Sequence, residues 1–204
     1  VPYAASAHIA RLNVAGGATT YTLNDTTSQL FSASTHEFFS RYQMNHRQDD
    51  SVYVVDFNMK DHNNGHFNWG DHNQSNRANI KLNINPEWEI NVDAGATEVN
   101  FDLSKFKIRE VKVNGGAGSF NLKLGQPLTQ TNVNISAGLA GAHVDIPKDA
   151  ACRITTSSAF SSNNFEGFIK KNDGTYETDG YGTAKNKINI NLSGGFSGFE
   201  VKRY

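Results

Sequence analysis

One cysteine, Cys152, is the chain's whole thiol complement, so no disulfide can form within it. With no recognisable histidine partner, Cys152 reads as a small buried side chain rather than a nucleophile. Prolines number only 4, few enough to leave long strands unbroken. No stretch approaches the roughly 20 apolar residues that a membrane-spanning helix requires. No secretory signal is visible, and the first residue is Val1 rather than Met. This reads as a processed or trimmed chain, with room for a membrane tether outside it. Neither sign of charge dominates, with 19 basic residues against 20 acidic ones. That balance removes the electrostatic reason to expect nucleic acid or an anionic membrane surface as a partner. Apolar residues make up 37% of the chain, thin for a thick globular core but enough for a flat β structure. A Gly-x-Ser-x-Gly nucleophile elbow is also missing.

What the chain holds in quantity is glycine, 18 residues, alongside much Asn, Ser and Thr. The glycines follow a register. From Trp88 to Leu103, two alternating apolar runs flank a small-residue corner at Gly95. Five and three residues before that glycine stand Ile90 and Val92; four and six after it stand Val99 and Phe101. The same offsets hold Leu12, Val14, Tyr21 and Leu23 around Gly17, and Val111, Val113, Phe120 and Leu122 around Gly116. Around Gly138 they hold Val133, Ile135, Ala142 and Val144, and around Gly195 Ile190, Leu192, Phe199 and Val201. Alternation of this kind buries one side of a strand and solvates the other. Gly95 and Gly116 are 21 residues apart, Gly116 and Gly138 are 22 apart, and a further step of 21 lands on Ala159, with Ile154 and Phe165 at apolar offsets. A fixed period near 20 predicts stacked coils that share a core no single coil can make. The glycines read as structural corners. A phosphate loop is a poor fit at Gly115–Gly118, because no helix follows.

Between these units the pattern changes. Thr27 to Tyr42 reads as a short helix start or a strand. Ser51 to Phe57 and Ala78 to Ile84 read as strands, and the 23–80 piece as an antiparallel sheet capping one end of the stack. Near the other end, Asn172-Asp173-Gly174 signals a hairpin inserted before the last unit.

Three patterns bear on chemistry. The stretch Asp61 to His72 carries His62, His66, His72, Asp61 and Asp71, which are ligand types for a transition metal. Its spacings match no helix-based zinc motif, and a solvated loop is the favoured reading, with the three histidines as minor metal candidates. Asp93, Glu98, Asp102, Glu110 and Asp145 could supply a polysaccharide-cleaving pair, yet they do not stack at one coil position. Asn13, Asn91, Lys112, Asn134 and Asn191 share one outward offset and form a stripe, read first as solvated filler and second as a ligand or glycan surface. Trp69 is a candidate recognition residue, whereas Trp88 opens a coil and is expected to pack.

The run from Asn85-Pro-Glu-Trp to Pro147-Lys-Asp, with its Ala-Gly-Ala and Gly-Gly-Ala-Gly corners, resembles the bacterial toast-rack domains. It is similar to the C-terminal domain of the cell-envelope stress regulator LiaF and to related adhesin-like families. The step from Leu103-Ser-Lys-Phe-Lys-Ile into the next coil and the turn Ile146-Pro-Lys-Asp-Ala-Ala carry the likeness. The resemblance implies a single-stranded, right-handed β-roll without enzymatic activity or cofactor, facing the cell envelope and often tethered to the membrane. The expectation is therefore an all-β solenoid with coils of about 21 residues, an N-terminal antiparallel cap and a C-terminal hairpin insertion. Residues 1–79 form the cap region with the first repeat-like unit, and 80–204 the solenoid. Its expected role is binding or scaffolding at the extracytoplasmic side of a bacterial envelope, in stress sensing or adhesion. Its partner there would be a protein or glycan. A polysaccharide-acting enzyme and a metal module at Asp61–His72 are the alternatives.

Overall fold

The computed structural model describes residues 1–38, 40–61 and 75–204. The chain opens with β1 (Ile9–Gly16) and β2 (Thr19–Thr26) and continues through β3 (Phe31–His36), β4 (Ser40–Asp49), β5 (Val52–Asp61) and β6 (Asn76–Leu82). It then lengthens into β7 (Glu87–Leu103), β8 (Lys107–Leu124), β9 (Gln130–Ile146) and β10 (Ala151–Phe165). A short hairpin, β11 (Ile169–Lys170) and β12 (Tyr176–Glu177), precedes the last strand, β13 (Lys187–Arg203).

The long strands owe their bend to a change of parity. In β7, Trp88, Ile90 and Val92 are buried before Gly95, and Thr97, Val99, Phe101 and Leu103 after it. Even positions give way to odd ones, so a straight strand would send the two sets to opposite sides. Turning at the glycine brings both sets onto one core. Each unit thus becomes a rung with a first arm, a corner and a second arm. Stacked rungs make two sheet layers that sandwich a single apolar interior. None of the residues at the apolar offsets of the five glycine units is more than 4% exposed. Each large side chain buried this way contributes about 1.5–3 kcal/mol.

All rungs run parallel and in register. β7, β8 and β9 neighbour one another in order, and β1 with β2 aligns on the two arms of β7. Corner glycines consequently lie in a row. At Gly138 close approach requires glycine, since a Cβ built there would come within 2.7 Å of the Gly116 carbonyl oxygen, whereas at Gly17 and Gly95 the nearest atom would lie 3.8 Å away. Gly118 meets a second constraint, a φ of +153° combined with a Thr97 carbonyl where its side chain would sit.

The N-terminal part differs from expectation in one respect. Thr27 to Tyr42 contributes strands, not a helix, and β3 and β4 do lie antiparallel on β6 and β5. β5 and β6, however, run parallel to β1 and β2 as one more rung. The cause is their apolar pattern: Tyr53, Val55 and Phe57 sit opposite Ala10, Leu12 and Val14, and Ala78 and Ile80 opposite Tyr21 and Leu23. The antiparallel cap is thus β3 and β4 alone. The line between residues 79 and 80 falls inside β6, and one sheet runs continuously across it.

The C-terminal part holds a larger surprise. The Ala159 coil exists as β10, and the hairpin at Gly174 closes on it, with Arg153 and Ile154 opposite Glu177 and Tyr176. But β13 does not follow β10 in space; it slots between β9 and β10. Glu200 of β13 shows how that slot is recognised. It meets His143 Nδ1 of β9 at 2.8 Å and accepts a 2.8 Å hydrogen bond from Asn164 of β10. Lys202 on its own strand lies 2.9 Å away. The Lys202 ammonium above all, then His143 and Asn164, hold the Glu200 carboxyl below its ordinary value.

Alanine substitutions along the corner are expected to grade with the available space. Gly118→Ala should cost about 2 kcal/mol or more and Gly138→Ala about 1–2 kcal/mol, read as urea midpoints. Gly141→Ala, whose new Cβ meets nothing within 4 Å, should change the midpoint little. A second expectation concerns acid. A carboxylate with a depressed folded pKa adds stability above its unfolded pKa, and that stability is lost as pH falls through the folded value. The Glu200→Gln variant should therefore show a shallower fall of urea midpoint than the parent between about pH 6 and pH 3. Equal slopes would remove the ion-pair account of the β13 slot.

Candidate functional site

Two broad surfaces follow from the rungs, one per arm. On the first-arm face the outward residues form ladders. Asn91 donates to Asn13 at 2.8 Å, Asn13 to Asp56 at 2.7 Å, and Asn191 to Asn134 at 2.8 Å. The predicted stripe is thus in register, as parallel zero-offset pairing requires. Lys112 interrupts it and turns along its own strand to Glu110 at 2.7 Å. Neighbouring rows are equally engaged. Arg11 places two nitrogens on Glu89 at 2.9 and 2.7 Å, and Arg109 reaches Glu87 at 3.0 Å. Most polar groups of this face satisfy one another.

The second-arm face is more varied. One row runs Thr22, Asn100, Asn121, His143, Glu200, Asn164 across six consecutive rungs. Asn121 donates to Asn100 at 2.8 Å. His143 bridges two carboxylates, Glu200 at 2.8 Å and Asp145 at 2.9 Å. Both ring nitrogens are thus engaged by groups of the face itself. Shallow depressions of about 230 and 360 Å³ lie on either side of His143. A third, of about 450 Å³, sits at the corner end, floored by Ala18, Ala96, Ala117 and Gly118. Thr97 lines it, 5% exposed, and its hydroxyl has no hydrogen-bond partner among the described residues.

The residues singled out in the sequence scatter over this frame. Asp93 and Glu110 belong to the first-arm face, where Asn114 donates to Asp93 at 2.8 Å and Asn134 to Glu110 at 3.4 Å. Glu98, Asp102 and Asp145 belong to the second-arm face, with the core between the two groups; contrary to expectation Asp102 and Asp145 do share one coil position, two rungs apart with Lys123 between them. Asp102 is bonded by the backbone and hydroxyl of Ser104, and its carboxyl lies below the ordinary range despite the opposing effect of burial. Trp88 is fully buried and donates its indole N–H to the Asn83 carbonyl at 2.8 Å. Cys152 is buried as well, and desolvation pushes its thiol far up. His62, His66, His72, Asp71 and Trp69 lie outside the described residues, and Asp61 ends β5.

Two residues were missed. His143 and Glu200 both stand five positions after a corner glycine, the offset that also holds Thr22, Asn100 and Asn121. The repeat alignment contained that row, but its residue types differ too much to flag themselves. Only the register reveals them.

At one end of the stack, between β3 and β4, a mouth of about 380 Å³ opens, with Phe31, Tyr42, Met44 and Phe57 on its walls beside the polar Gln29, Thr35 and Glu37. Tyr42 stacks on Phe57 with centroids 5.1 Å apart, closing the base of the core.

Residues 4–145 match the N-terminal domain of toast-rack (DUF2154). A crystal structure of a proposed cell adhesion protein from Clostridium sporogenes superposes with a TM-score of 0.87 at 24% identity, covering 98% of this chain and 94% of that one. At that identity the likeness establishes the fold. No curated protein matches the chain. The match to the toast-rack domain spans most of the sequence and every rung from β1 to β8, and the protein therefore belongs to the toast-rack family.

Proposed function

We propose that the chain is a non-catalytic binding and scaffold domain acting at the extracytoplasmic side of a bacterial cell envelope, in envelope sensing or adhesion. The observation that carries this reading is the fate of the carboxylates. A sugar-cleaving pair needs two carboxyl groups across one bond, one of them holding its proton near neutral pH. Asp93 and Glu110 are separated from Glu98, Asp102 and Asp145 by the whole core, and Asp102 and Asp145, which share one row, have Lys123 between them, with the Asp102 carboxyl held below its ordinary value by Ser104 despite burial. Asp145 and Glu200 do approach each other through His143, but Glu200 is pushed toward the ionised form, the opposite of what an acid requires.

The architecture favours contact over turnover. Rigid faces made of paired backbone present rows of side chains at fixed spacing, with shallow relief in place of an enclosed pocket. Such faces suit an extended partner, a protein or a glycan. The adhesion description given to the Clostridium sporogenes structure is in keeping with this role.

Two measurements check the reading. Incubation with a panel of cell-wall and storage polysaccharides should release no new reducing ends above a buffer control. In the source bacterium, protease added to intact cells or spheroplasts should digest the protein while leaving cytosolic markers whole. Turnover of any panel member, or protection until lysis, would overturn the catalytic or the topological half respectively.

A further inference from the structure

One strand edge of the stack is left bare. β13 pairs with one side of β10 along both arms. On the other side β12 pairs only with Arg153 and Ile154, and Thr178 bonds to the Cys152 backbone. At the far end the Phe165 carbonyl accepts from the Phe168 amide at 3.3 Å. Between these, from Thr155 to Asn164, the outer backbone of β10 has no partner among the described residues. We infer that this edge pairs with the same edge of a second copy of the chain, antiparallel, about a two-fold axis through the corner. The inference goes beyond the role proposed above and does not depend on it.

Composition marks the edge as one that is used. Exposed edges are normally blunted by charge, proline or a bulge. The opposite end of the stack follows that rule, since β4 carries Arg41, His46, Arg47 and Asp49. The free run of β10 reads Thr-Thr-Ser-Ser-Ala-Phe-Ser-Ser-Asn-Asn, without a charge, a proline or a glycine. Thr, Ser and Asn can face their own kind without repulsion and can bond to one another across a strand pair.

Shape selects the occupant. β10 is a rung bent at Ala159, and its arms belong to the two sheet layers. A straight extended peptide follows one arm and leaves the other. A second rung with the same bend follows both. The other outer rung, β5 with β6, is already covered by β4 and β3, so the matching rung is β10 of another copy. A two-fold axis along the bisector of the bend exchanges the arms. First arm then meets second arm, and both layers continue into the partner.

The register follows from two conditions. Residues directly opposite in an antiparallel pair share one side of the sheet. Inward residues are even-numbered on the first arm, as Cys152 and Ile154 show, and odd-numbered on the second, as Phe165 shows. Opposing residue numbers must therefore have an odd sum. The midpoint of the free run falls between Ala159 and Phe160, which meets that condition. Thr155 then lies opposite the partner's Asn164, Thr156 opposite the partner's Asn163, and Ser157 opposite the partner's Ser162. Every free position is used, and β12 stays in place in both copies.

Ser157 and Ser162 are exposed and stand on different arms, so they face each other only across the axis. That makes a charge exchange the test. Sedimentation equilibrium between about 1 and 500 µM should show monomer and dimer with a Kd of about 10–100 µM, weak because a single strand pair is a small interface. Ser157→Lys with Ser162→Lys sets like charges opposite one another and should weaken the dimer at least tenfold. Ser157→Lys with Ser162→Glu sets each lysine opposite a glutamate and should return the Kd to the parent's or below it at low salt. Urea midpoints of both variants, taken on the monomer, should stay near the parent's, which separates a lost contact from a lost fold. Backbone amide exchange along 155–164 should slow as the concentration passes the Kd. The inference is overturned by a monomer across the whole range, by a dimer that the double lysine variant leaves intact, by equal weakening in the two double variants, or by edge amides already protected in a monomer, where another strand holds the edge. None of these outcomes bears on polysaccharide turnover or on protease access to intact cells, so the functional reading stands or falls separately.

Discussion

From β8 onward the stack depends on how closely one corner may approach the next. Parallel strands stand about 4.8 Å apart, and at the corner that distance is taken up by backbone alone. Gly138 lies against the Gly116 carbonyl without room for a side chain, and Gly195 lies against the Gly138 carbonyl with little. A corner fixed in this way also fixes the register of the arms on both sides of it. Slipping by one residue would turn every buried side chain outward. With register set, Val14 must lie beside Val92 and Phe57, and Phe101 beside Leu23 and Leu122. The core is thus a consequence of the corner as much as of hydrophobicity.

A stack of identical rungs has a weakness: its backbone pairing does not distinguish one neighbour from another, and its ends are open. The chain deals with each separately. Antiparallel strands close one end, β4 and β3, while at the other β12 covers only Arg153 and Ile154 of β10. The order of the interior is written in polar rows. Lys202 opposite Asp145, and Glu200 between His143 and Asn164, suit β13 to the place between β9 and β10 that sequence order would not assign. The polar rows therefore do two things. They keep the faces soluble, and they tell the last rung where to insert.

That division explains what could be read from the sequence. The rungs were legible because corner and core obey fixed offsets from a glycine, and Gly17 marked the first rung as clearly as Gly95 marked the third. The rung of β5 and β6 was not, since 14 residues separate its arms and no fixed offset links Phe57 to Ala78. Neighbour order was hidden for a deeper reason: every rung presents the same backbone register, and a handful of partly exposed side chains decides between alternatives. The Asn stripe could be seen because one residue type repeats. The His143 row could not, because Thr, Asn, His and Glu share a position without sharing a chemistry.

The same contrast separates the two faces. Where a row repeats one residue type, each amide donates to the next, and the ladder consumes its own hydrogen-bonding capacity, as Asn91 does with Asn13. A mixed row cannot saturate in this way. Asn121 finds Asn100, and His143 and Asn164 find Glu200, each by a different pairing, and the side chain of Thr22 at one end bonds to none of the described residues. A solenoid of this kind stiffens one face by uniformity and uses the other to specify which rung lies beside which, within a single repeat.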